Sequence, residues 1–273
     1  MDERLNFLKM VAVNAGGIIM TYWGTDVRSR YKDDKSVVTE ADLRANEYIV
    51  RELTREYPQY GILSEESEDD LGRLDKQYVF IVDPMDGSGD FRRKEEDFSI
   101  LLSLVDSGTP ILGVIYEPLK RRLLFAETGG QAYMTEDGNT VYLPALQRVD
   151  WSSAKVGHPK NYKGDKYKTL YEMMGISEDN LVGSGGMGTR MVQLALQETQ
   201  MILGYTTNLS EWDIAAGQPI LEALGYSVTD SEGNPFRYNQ EVPKTNNGVL
   251  MLHPDIKDEA IEKVRNCFSA LPI

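Results

Sequence analysis

The residues with the clearest chemical potential are two aspartates that follow an apolar segment. Asp83 and Asp86 stand three positions apart, directly after the apolar run of residues 78–82. Pro84 restricts the backbone between them, so the Met85 carbonyl can point the same way as both carboxylates. An all-oxygen set of this kind is what a hard cation such as Mg²⁺ prefers. The sequence therefore predicts a candidate metal site at the end of this segment.

The two residues that follow this pair add the possibility of anion binding. Gly87 and Ser88 would offer backbone N–H groups to an anion if they open a helix. The alternative for the whole stretch is an Asx-type turn between two core elements. The residues alone leave both interpretations open.

Three more carboxylates stand at the ends of predicted elements. Glu65 follows a short apolar segment and begins an acidic loop. Asp213 stands beside Trp212 at the start of a predicted helix, and Asp42 completes a capping-box pattern that begins at Thr39. Each has an ordinary alternative, which is a solvated loop for Glu65 and capping of helix amides for the two aspartates.

The composition limits the chemistry that this chain can perform. Its 273 residues carry 43 acidic and 29 basic side chains, for a net charge of −14. This balance argues against a nucleic-acid or membrane partner, since such partners require Lys and Arg to neutralise phosphates. With two His and one Cys, a zinc site or a Ser-His-Asp triad is improbable. Any catalysis is therefore expected to rest on carboxylates and hydroxyls.

The chain also lacks the usual signs of export. No segment approaches the roughly 20 apolar residues of a membrane span, and no basic start followed by an apolar run marks a signal peptide. Cys267 has no partner for an internal disulfide, which is compatible with a reducing compartment. We therefore expect a cytoplasmic protein.

Hydrophobic spacing indicates the elements that must position the carboxylates in the first half. It predicts helices over residues 3–23 and 39–58. Residues 78–82 predict a strand that Asp83 and the following proline stop. Residues 98–142 contain β-rich runs separated by turn clusters, which is typical of a β meander.

The second half alternates short strands with helices, including one predicted helix over residues 212–224. This pattern gives an α+β lobe followed by an α/β lobe, so the fold class is α/β. We expect an N-terminal lobe over residues 1–148 that carries most candidate ligands. A C-terminal lobe over residues 149–273 would carry Asp213 and the substrate-side loops.

The motifs resemble those of a known superfamily when they are taken together and in order. The acidic pair at 65–66, the Asp-Pro-Met-Asp-Gly-Ser run at 83–88 and the Trp-Asp pair at 212–213 appear in the family's order. Residues 35–42 are also similar. The chain thus resembles the lithium-sensitive, magnesium-dependent phosphatases, which include inositol monophosphatases, 3'(2'),5'-bisphosphate nucleotidases and some fructose bisphosphatases. The resemblance implies a layered αβαβα sandwich, a small phosphorylated substrate and a homodimer.

This resemblance assigns ligands for two Mg²⁺ ions. Glu65, Asp83 and the Met85 carbonyl would hold the first ion. Asp83, Asp86 and Asp213 would hold the second, so Asp83 would bridge the two.

The resemblance also assigns catalytic roles. Asp42 would lie outside the direct ligands or near a third ion, whose presence stays open. Amides of Gly87 and Ser88 would grip the phosphate. Glu65 and the Ser88 hydroxyl would orient a water for in-line attack on phosphorus.

The substrate is less sharply indicated than the superfamily. Residues 98–118 look closest to the bacterial bisphosphate nucleotidases, which remove the 3'-phosphate from 3'-phosphoadenosine 5'-phosphate. Three positions depart from family patterns: Ser88 replaces the usual Thr, Gly89 replaces a frequent Lys or Arg, and Thr206 replaces the glutamate of inositol enzymes. The alternatives are an inositol or fructose-bisphosphate phosphatase, or a catalytically silent Mg²⁺ or phosphoester binder.

A glycine-rich run at 183–188 matches the G-x-G-x-x-G pattern. It makes a poor dinucleotide motif, because no N-terminal βαβ unit contains it. Its similarity to the superfamily's substrate-side loop assigns Ser184 and Arg190 to a sugar or a second phosphate. The alternative is a helix entry whose glycines serve close packing. His158 is interpreted as a structural or surface residue.

Overall fold

Two main β-sheets organise the computed structural model, which describes residues 2–32, 37–160, 165–204, 209–245 and 247–268. The strands are β1 Ser29–Tyr31, β2 Val37–Thr39, β3 Gly61–Ser64, β4 Tyr78–Asp86, β5 Ser99–Asp106, β6 Thr109–Glu117, β7 Arg122–Glu127, β8 Ala132–Glu136, β9 Asn139–Tyr142, β10 Val156–Pro159, β11 Leu181–Ser184, β12 Met201–Gly204, β13 Ser227–Thr229 and β14 Val249–Leu252. Strands β3 to β9 form the larger sheet in sequence order, and the smaller sheet has the order β11-β10-β12-β14-β13. Strands β1 and β2 form a separate antiparallel pair.

The helices form three layers around these sheets. They are α1 Glu3–Met20, α2 Glu40–Glu56, α3 Ser88–Arg92, α4 Asp165–Met174, α5 Met187–Ala195, α6 Glu211–Ile214, α7 Gly217–Leu224 and α8 Lys257–Phe268. Helices α1 and α2 cover one face of the larger sheet, while α5 and α7 lie between the two sheets. Helices α4 and α8 cover the far face of the smaller sheet. The predicted layered αβαβα sandwich is confirmed.

The alternation of side chains along β4 explains how these layers are held together. Phe80 and Val82 pack against α1 and α2, whereas Val79 and Ile81 face the core between the sheets. Because successive strand residues point to opposite faces, a fully apolar strand is required where both faces are covered.

The predicted end of β4 is wrong, and the difference creates the candidate site. The strand does not stop at Asp83 but continues to Asp86, with one extra residue between Asp83 and Asp86 relative to β5. Pro84 lies at this bulge, where its missing N–H removes no regular ladder hydrogen bond. The extra residue returns Asp86 to the face that Asp83 occupies, although residues three apart on a regular strand point to opposite faces.

The helix predicted over residues 212–224 is two helices, α6 and α7. Pro219 explains the break, because it cannot donate the hydrogen bond that a continuous helix would direct to the carbonyl of Ala215. The division into lobes after residue 148 stays a prediction. No helix among the described residues has the length and apolar character needed to cross a membrane.

Candidate metal centre and active site

Three of the predicted metal ligands come together in space. One carboxylate oxygen from each of Asp83, Asp86 and Asp213 lies within 4.8 Å of the others. Asp83 and Asp86 are buried and Asp213 is half-buried. Residues from both halves of the sequence therefore form one acidic cluster.

The Asp86 carboxylate is held by a segment that is distant in sequence. It accepts hydrogen bonds from the amide of Met187 at 3.1 Å and from the amide of Gly188 at 2.6 Å, at the start of α5. Ser99 lies 3.4 Å from the same carboxylate. A Cβ on Gly186 would lie 2.1 Å from Asp86, so this close approach requires glycine.

These contacts give the glycine-rich run a role that the sequence analysis missed. The run presents helix amides to a predicted metal ligand, and close packing of its glycines makes the approach possible. In the sequence, Gly186 and Gly188 flank Met187, the first residue of α5, and this pattern could have indicated a close approach of another group. Nothing in the local sequence indicated Asp86 as the partner.

The Asp213 carboxylate is positioned by the turn that starts α6. Its Oδ2 accepts the backbone N–H of Ser210 at 2.5 Å, so the expected capping interaction is present. Lys244 donates to the Ser210 hydroxyl at 2.8 Å and lies over the Trp212 ring. No pattern in the sequence indicated that Lys244 belongs to this region.

Glu65 lies beside the cluster but has a cationic partner. Strands β3 and β4 are parallel, and the Glu65 amide bonds to the Val82 carbonyl, which brings Glu65 next to Asp83. Its carboxylate pairs with Lys32 at 2.7 Å, and Lys32 also pairs with Glu66 at 2.6 Å. Lys32 was missed because no periodic pattern marks a loop residue that reaches across the fold.

Asp42 and Ser88 form a hydrogen-bonded pair at the edge of the cluster. The Asp42 carboxylate accepts from the backbone N–H of Thr39 at 2.8 Å, and the Thr39 side chain accepts from the backbone of Asp42, which confirms the capping box. The Thr39 hydroxyl also donates to Asp42 at 2.5 Å. The Ser88 hydroxyl contacts Asp42 and lies 2.9 Å from the Met85 carbonyl. Its single proton is best directed to the carboxylate, because charged acceptors form the stronger bonds.

Gly87 caps the short helix α3 in a conformation that favours glycine. Its φ is +90°, and a Cβ there would lie 2.4 Å from the Asp97 carbonyl oxygen. Glycine is therefore required on both backbone and steric grounds. The predicted phosphate-gripping turn opens α3, next to Ser88 and the acidic cluster.

Burial and mutual repulsion shift the pKa values of the cluster. Burial raises the pKa of Asp213 to about 8 and the pKa of Asp86 to about 6. Burial, followed by the charge of Glu65, raises the pKa of Asp83 well above its usual value. Burial also raises the pKa of Asp42 to about 6.

Such a cluster fits a divalent cation. Burying several like charges is unfavourable unless a cation compensates them. Carboxylate oxygens converging within a few ångströms are also the donors that Mg²⁺ prefers.

Two of the predicted substrate contacts, Ser184 and Arg190, lie at the end of β11 and in α5. The Ser184 hydroxyl is buried and has no hydrogen-bond partner among the described residues. The Arg190 Nε donates to the Gly186 carbonyl at 3.3 Å, and Gly186 packs against the Asp86 carboxylate. Arg190 therefore contacts the cluster through Gly186, and its contact with a substrate stays a prediction. Thr206 lies outside the described residues.

His158 has a structural environment, as predicted. Its Nδ1 lies 3.1 Å from the Tyr171 hydroxyl, and both Tyr167 and Tyr171 meet its ring edge to face. These three residues line a pocket of about 390 Å³ next to α4. No carboxylate of the acidic cluster lines this pocket.

Comparison with known proteins identifies the family. The model of the inositol monophosphatase family matches residues 1–269, so this chain belongs to that family. The resemblance to this phosphatase family is confirmed, and the chain is accordingly a phosphoric monoester hydrolase by family.

Two curated relatives illustrate the range of the family. The chain is 32% identical to the 3'(2'),5'-bisphosphate nucleotidase CysQ of Escherichia coli strain K12, over 84% of this chain and 91% of the relative. It is 30% identical to the inositol-1-monophosphatase of Mesorhizobium japonicum, over 84% of this chain and 86% of the relative.

Solved structures show the same fold. The chain superposes on an inositol monophosphatase of Thermotoga maritima with a TM-score of 0.79 and 25% identity, covering 98% of this chain and 99% of that one. For CysQ of Bacteroides thetaiotaomicron the TM-score is 0.74 with 27% identity, covering 89% and 94%.

Proposed function

We propose that this phosphatase is a Mg²⁺-dependent 3'(2'),5'-bisphosphate nucleotidase that acts on 3'-phosphoadenosine 5'-phosphate. The convergence of Asp83, Asp86 and Asp213 beside the Asp42–Ser88 pair carries the Mg²⁺-dependent part of the proposal. The nucleotidase relatives, at up to 32% identity, support the choice of substrate.

The proposed metal ligands follow from the positions of the carboxylates. Asp83, Asp86 and Asp213 would hold one Mg²⁺. Glu65, Asp83 and the Met85 carbonyl would hold another, with Glu65 exchanging its contact with Lys32. We propose two Mg²⁺ ions, and the presence of a third ion near Asp42 is left open. Bound Mg²⁺ would supply positive charge for phosphoryl oxygens and would lower the pKa of an attacking water.

The proposed roles of the remaining residues concern orientation. Because the Ser88 hydroxyl directs its proton to Asp42, the lone pairs of Ser88 are free to accept a hydrogen bond from the O–H of a water. Ser88 and Glu65 would thereby orient the water toward phosphorus. Amides of Gly87 and Ser88 would hold the phosphate, while Ser184 and Arg190 would contact the sugar or second phosphate.

The experiment that tests this substrate compares three esters under identical Mg²⁺ concentrations. We expect the highest kcat/KM with 3'-phosphoadenosine 5'-phosphate, because Arg190 offers charge beside the cluster to a second phosphate. A higher value with inositol 1-phosphate or fructose 1,6-bisphosphate would instead assign the chain to the sugar phosphatases. The 30% identity to an inositol-1-monophosphatase supports that alternative. Absence of phosphate release from all three would favour a silent binder.

We propose a homodimer and a cytoplasmic location as secondary features. The resemblance supports the homodimer, and the free, buried thiol of Cys267 fits a reducing compartment. Light scattering should give twice the mass of one chain, and a monomeric mass would reject the dimer. Cell fractionation tests the location.

A further inference from the structure

A dense group of charges joins Lys160, directly after β10, to α3 and the segment between α3 and β5. The Lys160 ammonium lies 2.6 Å from Asp97, 2.7 Å from Glu95 and 3.5 Å from Asp90. Arg93 pairs with Asp90 at 2.6 Å and with Glu95 at 3.0 Å. The two cations and three carboxylates form one connected network, which is stronger evidence of a fixed geometry than an isolated surface pair.

The glycine-rich run lies between Lys160 on one side and the carboxylates of Asp90 and Asp97 on the other. On one side, the Lys160 amide donates to the Ser184 carbonyl at 2.9 Å, and Lys160 Cβ lies 3.3 Å from the position of a Cβ on Gly183. On the other side, a Cβ on Gly185 would lie 2.6 Å from Asp97 Cβ and 2.7 Å from Asp90 Oδ2. The run is therefore confined between β10 and the acidic segment.

The confined run continues directly into the amides that hold Asp86. The next residue, Gly186, lies against the Asp86 carboxylate, and the amides of Met187 and Gly188 donate to it. The run thus contacts one carboxylate of the acidic cluster and helps to orient it. Only one residue, Gly186, separates Gly185 from Met187, so we expect a displacement at Gly185 to reach these amides.

We propose that Lys160 is a positioning residue for the metal centre. By pairing with Asp97, Glu95 and Asp90, Lys160 holds the glycine-rich run against the α3–β5 segment and so fixes the amides that orient Asp86. This inference rests on the proposed metal-binding role of Asp86. It assigns a function in Mg²⁺ affinity to a lysine that does not touch the cluster itself.

The physical basis is the sensitivity of metal sites to the groups that orient their ligands. Loss of a partner that touches a ligand directly costs roughly 10- to 100-fold in metal affinity. Lys160 does not touch Asp86 and acts only through the glycine-rich run, so we expect its replacement to lower the Mg²⁺ affinity by about three- to tenfold. The Lys160 side chain is 29% exposed, so its replacement leaves no large cavity.

Two substitutions with opposite charge changes test the proposal. Lys160→Met removes a positive charge and Asp97→Asn removes a negative charge, yet both abolish the ion pair whose charged atoms lie 2.6 Å apart. Positioning predicts that both variants bind Mg²⁺ more weakly, as measured by calorimetry on the full chain. A purely long-range charge effect predicts tighter binding for Lys160→Met and weaker binding for Asp97→Asn, and that outcome would overturn the proposal.

Matched controls separate positioning from general destabilisation. Lys168→Met removes a lysine whose carboxylate partner, Glu172, is 3.9 Å away on an exposed helix face, so native Mg²⁺ affinity is expected. Lys160→Arg keeps the charge and should restore most of the affinity. Equal Mg²⁺ affinities for the native chain, Lys160→Met and Asp97→Asn would overturn the proposal even if thermal stability fell.

Failure of the proposed function would be visible separately. If the native chain binds Mg²⁺ but hydrolyses no ester, the nucleotidase proposal is wrong while the comparison of affinities still decides the role of Lys160. If the native chain binds no Mg²⁺, both the metal site and the positioning role are overturned.

Discussion

At the scale of single residues, Ser88 shows how one hydroxyl can link two parts of the site. It contacts the Asp42 carboxylate and the Met85 carbonyl, and it opens α3 beside the proposed phosphate position. Because threonine carries the same hydroxyl, the change from the family's usual Thr to Ser88 retains this bonding capacity.

Two replacements of Ser88 test whether its hydroxyl is required for catalysis. Ser88→Ala should lower kcat by about 100-fold, which is in the range for loss of a group that assists proton transfer in the reaction. Ser88→Thr should keep a rate close to that of the native chain. Steady-state kinetics with Mg²⁺ check both, and an unimpaired Ser88→Ala variant would remove this residue from the mechanism.

Asp213 leads to a pH-dependent prediction for the metal-free protein. Burial raises its folded-state pKa to about 8 from an ordinary value of 3.8. A raised carboxyl pKa means that the folded state binds more protons, so this stabilising contribution is complete below 3.8 and is lost as pH rises through about 8. In EDTA, the thermal midpoint should therefore fall as pH rises across this interval.

Saturating Mg²⁺ should reduce that fall, because the cation stabilises the ionised carboxylates. Thermal unfolding at matched pH values, with EDTA or Mg²⁺, measures the difference. Asp213→Asn in EDTA should show a shallower dependence on pH than the native chain. Identical pH profiles with and without Mg²⁺ would contradict a metal site at Asp213.

At the scale of elements, the bulge in β4 and the entry to α5 determine the site. The bulge places Asp83 and Asp86 on one face, and the α5 entry supplies two amides to Asp86. Both features are local departures from regular structure. They occur where the two sheets approach the same acidic cluster.

Adding one methyl group at Gly188 tests the close packing at the start of α5. A Cβ on Gly188 would lie 2.1 Å from the Ser99 hydroxyl and 3.1 Å from Asp86. Gly188→Ala should therefore lower the free energy of unfolding by about 1–3 kcal/mol, as overpacking does. It should also weaken Mg²⁺ binding.

Gly17 provides the matched control for this substitution. It lies in α1, where no atom is found within 4 Å of the position of an added Cβ. Gly17→Ala should stabilise the chain by about 0.5–1 kcal/mol, because alanine favours helix more than glycine does. Denaturant unfolding of both variants checks the pair, and equal effects would show that packing at the α5 entry is unimportant.

Most elements could be predicted because their signals are local. The alternating β runs, the capping box at Thr39 and the N-terminal helices follow from side-chain periodicity and caps. The bulge could not be predicted, since it depends on pairing with β5. The contact of Met187 with Asp86 joins residues about 100 positions apart, and no local pattern encodes it.

At the scale of the whole molecule, the net charge of −14 acquires a local explanation. Asp83, Asp86 and Asp213 converge at one place, between elements from both halves of the chain. Bound cations would make this region attract phosphate, although the protein as a whole repels anions. The acidic composition is thus consistent with a phosphorylated substrate that binds together with metal.

Metal-dependent hydrolysis at the acidic cluster is tested most directly by the rate of phosphate release from 3'-phosphoadenosine 5'-phosphate by the native chain and by Asp86→Asn. The native chain should release phosphate with Mg²⁺ and not with EDTA. Asp86→Asn should keep the native fold by circular dichroism and lose at least about 100-fold in rate, because it removes a charge that Mg²⁺ balances. Near-native rates for Asp86→Asn, or equal rates of the native chain in Mg²⁺ and EDTA, would contradict metal-dependent hydrolysis at this cluster.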